Sequence, residues 1–440
     1  MAAAASAVPL LALVTGKVDT PYGEEEWRGA EDAASANGAG VLAFAGDLFP
    51  GPAVGRAPAV ELFSYMKGAC PDCALIWTAM LDSYSGHKPL LEMARAFGNI
   101  PIVSGETPLE GYPCVEFDDY TSTVRAIEHL AITHGKRRIA FLKGLPRHSG
   151  QALRLRAWRD TLERLGLDPD PRLVSTYAQI DRHSLSRSIL HLLRAWPDVD
   201  AIAASSGVWV GPALATLEKM GKRVPEDIAL VGFDDFPEFA EDRLDITTVG
   251  TPLRRIAREA GSQALILAAG GEAPKVPLQV GELVIRGSCG CSPGKGPRLP
   301  RAGAEPSDAR ASEDARMLKA LSRKLRGASS FEELCEILRA SLAGLGLEAA
   351  ALVLKEGESS LNLAFAAGGA MESADAGSFD SKGPWPRGLV AGRAASILAV
   401  PLVAERRFIG FILFEGCARS GRLYHGVADS LAEALVAAIK

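Results

Sequence analysis

The sequence predicts an α/β protein of parallel sheets with flanking helices, followed by a smaller α+β unit. Three observations carry that expectation. The first half alternates short apolar runs with amphipathic stretches, the pattern of strand-helix-strand units. One run, Ile228-Ala229-Leu230-Val231, ends at Gly232 and is followed at once by Asp234 and Asp235, so it reads as a buried strand opening into a polar loop. From 292 to 314 the chain turns to Pro, Gly, Ser, Arg and Glu without periodicity, which marks a linker before a unit spanning about 315–440.

In order, the expected elements are a strand at 10–14, a helix at 24–36 ended by Asn37-Gly38, and a strand at 41–44. A helix near 59–66, a strand at 74–77, a helix near 89–97 and a strand at 102–103 complete a first group. Cys114 to Asp119 then leads into a helix whose Val124, Ile127, Leu130 and Ala131 share one face, with Gly135 placed to end it. Strands at 138–142, 201–204 and 228–231, with helices at 151–165, 184–194 and up to 220, form the second group. A short strand at 246–249 precedes Thr251-Pro252. Beyond the linker come two helices, a strand at 349–354, a loop poor in large apolar residues through Gly383, a hairpin of 397–403 and 408–414, and a helix from about 426 to 439.

The 440 residues are 48% apolar and carry a formal net charge of −5, so no overall positive field draws the chain to nucleic acid or anionic lipid. Seven cysteines at irregular spacings fit a reducing compartment. The N-terminal MAAAASAVPLLALVTG has no positive n-region, and its apolar part is needed as the first strand. The expectation is a cytoplasmic protein without membrane contact.

VGFDD, then about ten residues, then a TTV strand and a proline resembles the effector-binding domain of the lactose-repressor (LacI/GalR) family, a two-lobed periplasmic-binding-protein type 1 fold. The resemblance runs from about Pro9 to Cys291. It implies a first lobe of about 8–116 and 251–277 and a second of about 117–250 and 278–291, a small polar ligand such as a sugar or nucleoside held between them, and a homodimer. The C-terminal PLVAERRFIGFILFEG hairpin, with the elements around it, resembles a GAF domain. ELVIRGSCGC resembles the end of such sensor domains fused to signalling output modules. About eight residues precede the first strand, where the family carries its helix-turn-helix headpiece, so its DNA-binding residues transfer to no position here.

Carried over residue by residue, Asp234 matches the family's ligand-binding carboxylate and Arg154, in RLRAW, its ligand-clamping arginine, with Ala157 in place of a glycine. Ser205-Ser206 stands where the family has Asn-Asp, exchanging a charged acceptor for neutral hydroxyls; this departure weakens the expectation of a sugar. Trp209 offers a stacking face or core packing. Asp19, Tyr22, Asp47 and Thr78 follow the first three strands, where open α/β sheets bind ligands.

Cys70-Pro71-Asp72-Cys73 and Cys289-Gly290-Cys291 are close pairs, but one sits beside an early strand and the other at the domain end. No metal site is expected, and no cofactor. Asp118-Asp119 and Asp234-Asp235 are adjacent carboxylates; neighbours on a strand point apart, so solvated loops are expected rather than a glycosidase pair. There is no nucleophile elbow, phosphate loop or zinc-protease motif. The expected function is a non-enzymatic ligand-responsive sensor that signals to transcription or to a separate signalling or DNA-binding partner. The alternatives are a repressor with another DNA-binding surface, the sensory remnant of a cyclase or kinase fusion, and an exported solute-binding protein.

Overall fold

Every residue of Leu10–Thr15 (β1) and Gly40–Ala45 (β2) is buried in the computed structural model. It describes residues 8–50, 57–145, 147–176, 182–236, 246–291, 307–386, 388–390 and 394–439. Strands covered on both faces have no polar side to show, which is why LLALVT and GVLAFA read as unbroken small and apolar runs. The chain forms two compact units, one of residues 1–115, 253–276 and 303–440, the other of 116–252 and 277–302.

In the first unit Cys73–Trp77 (β3) and Ile102–Glu106 (β4) join β1 and β2 in a parallel array. Helix Pro21–Ala36 packs against helix Leu253–Ala268 so closely that a Cβ at Gly29 would lie 2.4 Å from the Arg254 carbonyl oxygen. Only glycine permits that approach. Arg254 Nε then pairs with Asp32 Oδ2 at 2.6 Å across the same helices.

The last third of the chain shares this sheet. Ala349–Lys355 (β12), Ser360–Ala367 (β13), Gly377–Asp380 (β14), Ser396–Ala404 (β15) and Arg407–Glu415 (β16) extend it in the order β4-β3-β1-β2-β15-β16-β12-β13-β14. The join is a parallel pairing of β15 with β2, Ile397 opposite Leu42 and Ala399 opposite Phe44. One apolar core runs through the join. Trp385 lies edge-on to Phe44 at 6.0 Å and stacks on Phe411 at 5.2 Å, and Tyr65 stacks on Phe411 at 6.1 Å. Helix Ser307–Gly327 begins inside the stretch expected as linker, of which 292–306 lie outside the described residues. The expected loop before Gly383 holds β13 and β14. In β13, Leu361, Leu363, Phe365 and Ala367 are buried in alternation, the period-two pattern of a half-buried strand. The last helix starts at Gly421, earlier than expected.

The second unit is built on Ile139–Leu142 (β6), Ala201–Ala204 (β7), Ala229–Phe233 (β8) and Thr247–Gly250 (β9), all parallel neighbours, with Glu282–Val284 (β11) antiparallel at the edge beside β9. Cys114–Asp118 (β5), where the chain enters this unit, pairs with Gln279–Val280 (β10).

The first unit also carries a buried acid. Glu26 is 1% exposed and bonded to the Thr15 hydroxyl, and burial pushes its carboxyl up to about 8 from an ordinary 4.5. Between those values the folded state keeps a proton that the unfolded chain has lost, so stability falls as pH rises through that window. Glu26→Gln should therefore gain on the wild type between pH 5 and pH 8, by on the order of 3 kcal/mol. Urea unfolding at both pH values measures this; a pH-independent gap would show Glu26 to be ionised in the fold.

Candidate functional site

The chemistry of the second unit gathers where β7 and β8 end. After Phe233 the backbone turns left-handed at two consecutive acids, φ +82° at Asp234 and +50° at Asp235. Aspartate accepts that region better than most residues, and such strain is held where a site requires it. The turn sends the neighbours apart, but the solvated loop expected for this pair is not found, since Asp234 is buried at 6% exposure and Asp235 is half-buried. Asp235 Oδ1 reaches Arg286 Nη1 at 2.6 Å. Asp234 points inward, accepting from Gly207 N at 2.8 Å, from the Ser206 hydroxyl at 3.4 Å and from the Thr251 hydroxyl at 3.2 Å.

Arg154 projects from helix Ser149–Arg164 and is only 3% exposed. Its Nε donates to Asp119 Oδ1 at 2.5 Å, its Nη1 donates to the Ser205 carbonyl at 2.6 Å, and the same Nη1 lies 3.8 Å from Asp234 Oδ1. The guanidinium carbon sits 4.2 Å from the Phe233 ring centre, so an apolar face steadies the cation. Asp119 corrects the expectation of a solvated loop: it is 1% exposed at the start of helix Asp119–Glu128. Burial raises its carboxyl, with the charges of Asp234 and Asp118 adding and Arg154 opposing. His148, which caps the arginine's helix by accepting from Gln151 N, is pushed down to about 3 by burial and by Arg154, and is therefore neutral. Around this cluster Asp119 Oδ2, Ser205 Oγ and Trp209 Nε1 are buried without a hydrogen-bond partner among the described residues. Buried polar atoms ordinarily find one.

The structure thus brings together Asp234, Arg154, Ser205 and Ser206, and adds Asp119, Gly207 and Thr251. The sequence signal for Asp119 was its place at a helix start after β5; its ion pair spans 35 positions and no local pattern shows it. Trp209 lies in the turn Gly207–Trp209 and is 2% exposed.

The other candidates stand in the first unit. Thr78 is fully buried, its hydroxyl beside the Gly105 and Thr107 carbonyls and 3.0 Å from the Thr107 hydroxyl. Asp47 Oδ1 accepts from Leu48 N at 2.8 Å. Tyr22 is half-buried in the first turn of its helix. Asp19 is also half-buried, in a loop whose Val18 N meets His425 Nε2 at 3.3 Å. Burial pushes His425 down to about 4, with Asp19 opposing. That contact with the last helix could not be foreseen from the first strand's surroundings.

Residues 127–289 match the model of a periplasmic binding protein-like domain. The chain carries such a domain. Its homologues are of LacI/GalR type. The transcriptional regulator CelR of Thermobifida fusca is 33% identical over 203 residues, covering 45% of this chain and 57% of that protein. The ribose operon repressor of Bacillus subtilis is 30% identical over 169 residues, 38% of this chain and 50% of that one. The chain thus spans about half the length of the curated relatives it matches. A solved CelR–cellobiose complex superposes with a TM-score of 0.54 at 27% identity, over 63% of this chain and 84% of that structure. The domain is the two-lobed α/β fold of parallel sheets. Among the described residues no helix is long and apolar enough to cross a membrane.

Proposed function

We propose that the chain is a ligand-responsive regulator whose second unit recognises a small polar molecule of sugar type through Arg154, Asp234 and Asp119. The observation that carries this reading is the buried guanidinium set between two carboxylates at the ends of parallel strands. A rigid fork of donors next to charged acceptors fits the alternating donors and acceptors of vicinal hydroxyls, and strand ends are where open α/β sheets take ligands. The cellobiose in the CelR complex and the ribose operon of the second relative make hydroxyl-rich ligands the first class to test. With Asp119 adding a charged acceptor, the replacement of Asn-Asp by Ser205-Ser206 argues for a changed specificity rather than a lost site.

Asp19, Tyr22, Asp47, Thr78 and Trp209 remain candidates for ligand contact, and a homodimeric, cytoplasmic, non-catalytic regulator signalling to transcription or to a partner belongs to the same reading. So does a GAF-like character for the segment after 315. A signal requires the ligand to favour one conformation over another, because equal affinity for both shifts nothing.

The test is a thermal-shift series with cellobiose, ribose, other sugars and nucleosides. At about a hundred times its dissociation constant, a ligand stabilises the fold that binds it by about 2.7 kcal/mol, several degrees in a unit of this size. Asp234→Ala should abolish the shift. A shift that survives in the variant would move the receptor site away from this cluster, to the C-terminal segment.

A further inference from the structure

Four side chains that the proposed function does not use converge in the second unit. His129 and His134 bracket a π-helical turn, His129–Thr133, that ends the helix begun at Asp119. The i→i+5 closure of such a turn lays residues five apart over one another, and π turns recur at functional sites. Cys289 and Cys291 flank Gly290, whose φ of +102° folds the chain back so that both thiols face the imidazoles. His129 Nε2 lies 3.3 Å from Cys289 Sγ and 3.7 Å from Cys291 Sγ; His134 Nε2 lies 3.2 Å from His129 Nε2 and 3.3 Å from Cys291 Sγ. All four ligand atoms fall within 4.8 Å of one another.

We propose that these residues form a Cys2His2 site for a structural zinc ion. Zinc binds imidazole nitrogen at about 2.0–2.1 Å and thiolate sulfur at about 2.3 Å in a tetrahedron. The edges of that tetrahedron are then about 3.3 Å between nitrogens, about 3.6 Å between nitrogen and sulfur and about 3.8 Å between sulfurs. The four observed nitrogen–nitrogen and nitrogen–sulfur separations lie within a few tenths of an ångström of these, and the remaining pairs, at no more than 4.8 Å, need close by about 1 Å at most around the ion. The ligand set completes the coordination with protein atoms, so it is a closed site and offers no position for a reacting water.

The surroundings hold the ligands in place, as a metal site requires. Ser288, between the turn and β11, donates to the Leu230 carbonyl at 2.7 Å and accepts from Thr247 N at 2.8 Å, pinning the cysteine turn to β8 and β9. Cys289 is 1% and His129 9% exposed. Binding exchanges two thiol protons for the cation, which leaves the site electrically neutral and suited to burial. The ion would clasp the end of the helix after β5 to the turn at Gly287–Cys289, the last element of the unit among the described residues. From the sequence no metal site is expected, because the other close cysteine pair, Cys70 and Cys73, is remote from Cys289 and Cys291 along the chain. Cys70 and Cys73 lie in the first unit, where burial pushes the Cys73 thiol up to about 12.

The test uses the full chain, expressed in zinc-supplemented medium and purified in reductant without chelator, with zinc measured by mass spectrometry. About one zinc per chain is expected, kept in Cys70→Ser and lost in Cys291→Ser and in His134→Asn. Because a variant that fails to fold would also lose metal, wild-type protein stripped with chelator is titrated with cobalt(II). The expected result is the intense visible spectrum of tetrahedral thiolate-bound cobalt, erased by stoichiometric zinc. Wild-type protein that holds no zinc and gives only the pale spectrum of hydrated cobalt overturns the proposal, as does zinc retained undiminished in Cys291→Ser and His134→Asn.

Discussion

Replacing Arg154 by methionine should destabilise the protein by about 3–5 kcal/mol, the cost of leaving buried charges without their partner. Methionine keeps the apolar stem against Phe233 but strips Asp119 and Asp234 of the cation between them. Both are nearly excluded from water, 1% and 6% exposed. The two carboxylates would then repel each other in a poorly screened interior. The loss should depend on pH. Asp119 already binds its proton more tightly in the fold than usual because of burial. Without Arg154 that tendency grows, so folded protein retains a proton that the unfolded chain releases, and the deficit widens as pH rises. Urea unfolding of Arg154→Met at pH 5 and pH 8 should show the smaller penalty at pH 5. Arg154→Lys keeps the charge but not the fork of donors and should fall between. A methionine variant within about 1 kcal/mol of wild type at both pH values would mean that the cluster contributes little to the fold.

Ending the chain after Cys291 should have an even larger effect. The match to known regulators over much of 9–291 makes that truncation the natural choice for an isolated ligand-binding domain, yet it removes the strand paired to β2. It opens a long parallel edge and uncovers Leu42, Phe44, Tyr65 and the 3-10 helix Pro58–Ala69, which pack against the C-terminal strands and Trp385. Fully re-exposing each large apolar side chain costs about 1.5–3 kcal/mol, so a handful approaches the roughly 5–15 kcal/mol that holds a domain together. The truncated chain is expected to aggregate or to melt at least about 10 °C lower, since an exposed apolar edge strand also templates association. Size-exclusion chromatography and a thermal melt decide this. A soluble product melting with the full chain would show the C-terminal segment to be a separable domain.

What was legible in the sequence was whatever is written locally. Buried strands such as LLALVT and AIAA declare themselves by unbroken apolar runs, and the VGFDD turn marks a strand end because side-chain bulk stops where the carboxylates begin. The order of elements through Ile246-Thr247-Thr248-Val249 follows from those signals. The parallel join of Ile397 to Leu42 is different, since nothing in GVLAFA or SILAVPLVA says which strand will lie beside it. A chemically sensible linker composition hid the join further. The site was half legible: Asp234 and Arg154 came from motif position. Asp119, in a pair read as solvated, is committed to an arginine far along the chain. His129 and His134 carried no metal signature because their partners arrive from the other end of the unit, and a five-residue spacing is uncommon on a regular helix.

Titration calorimetry of the sugar that gives the largest thermal shift, against wild type and Asp234→Asn, tests the central claim most directly. Asparagine keeps the shape and an acceptor for Gly207 N while removing the charge. The account predicts one-site binding to the wild type and an affinity lower by at least about tenfold in the variant, the loss of one charge-assisted bond. Equal affinity in the two proteins would contradict it, because the ligand would then be held somewhere other than the Asp119–Arg154–Asp234 cluster.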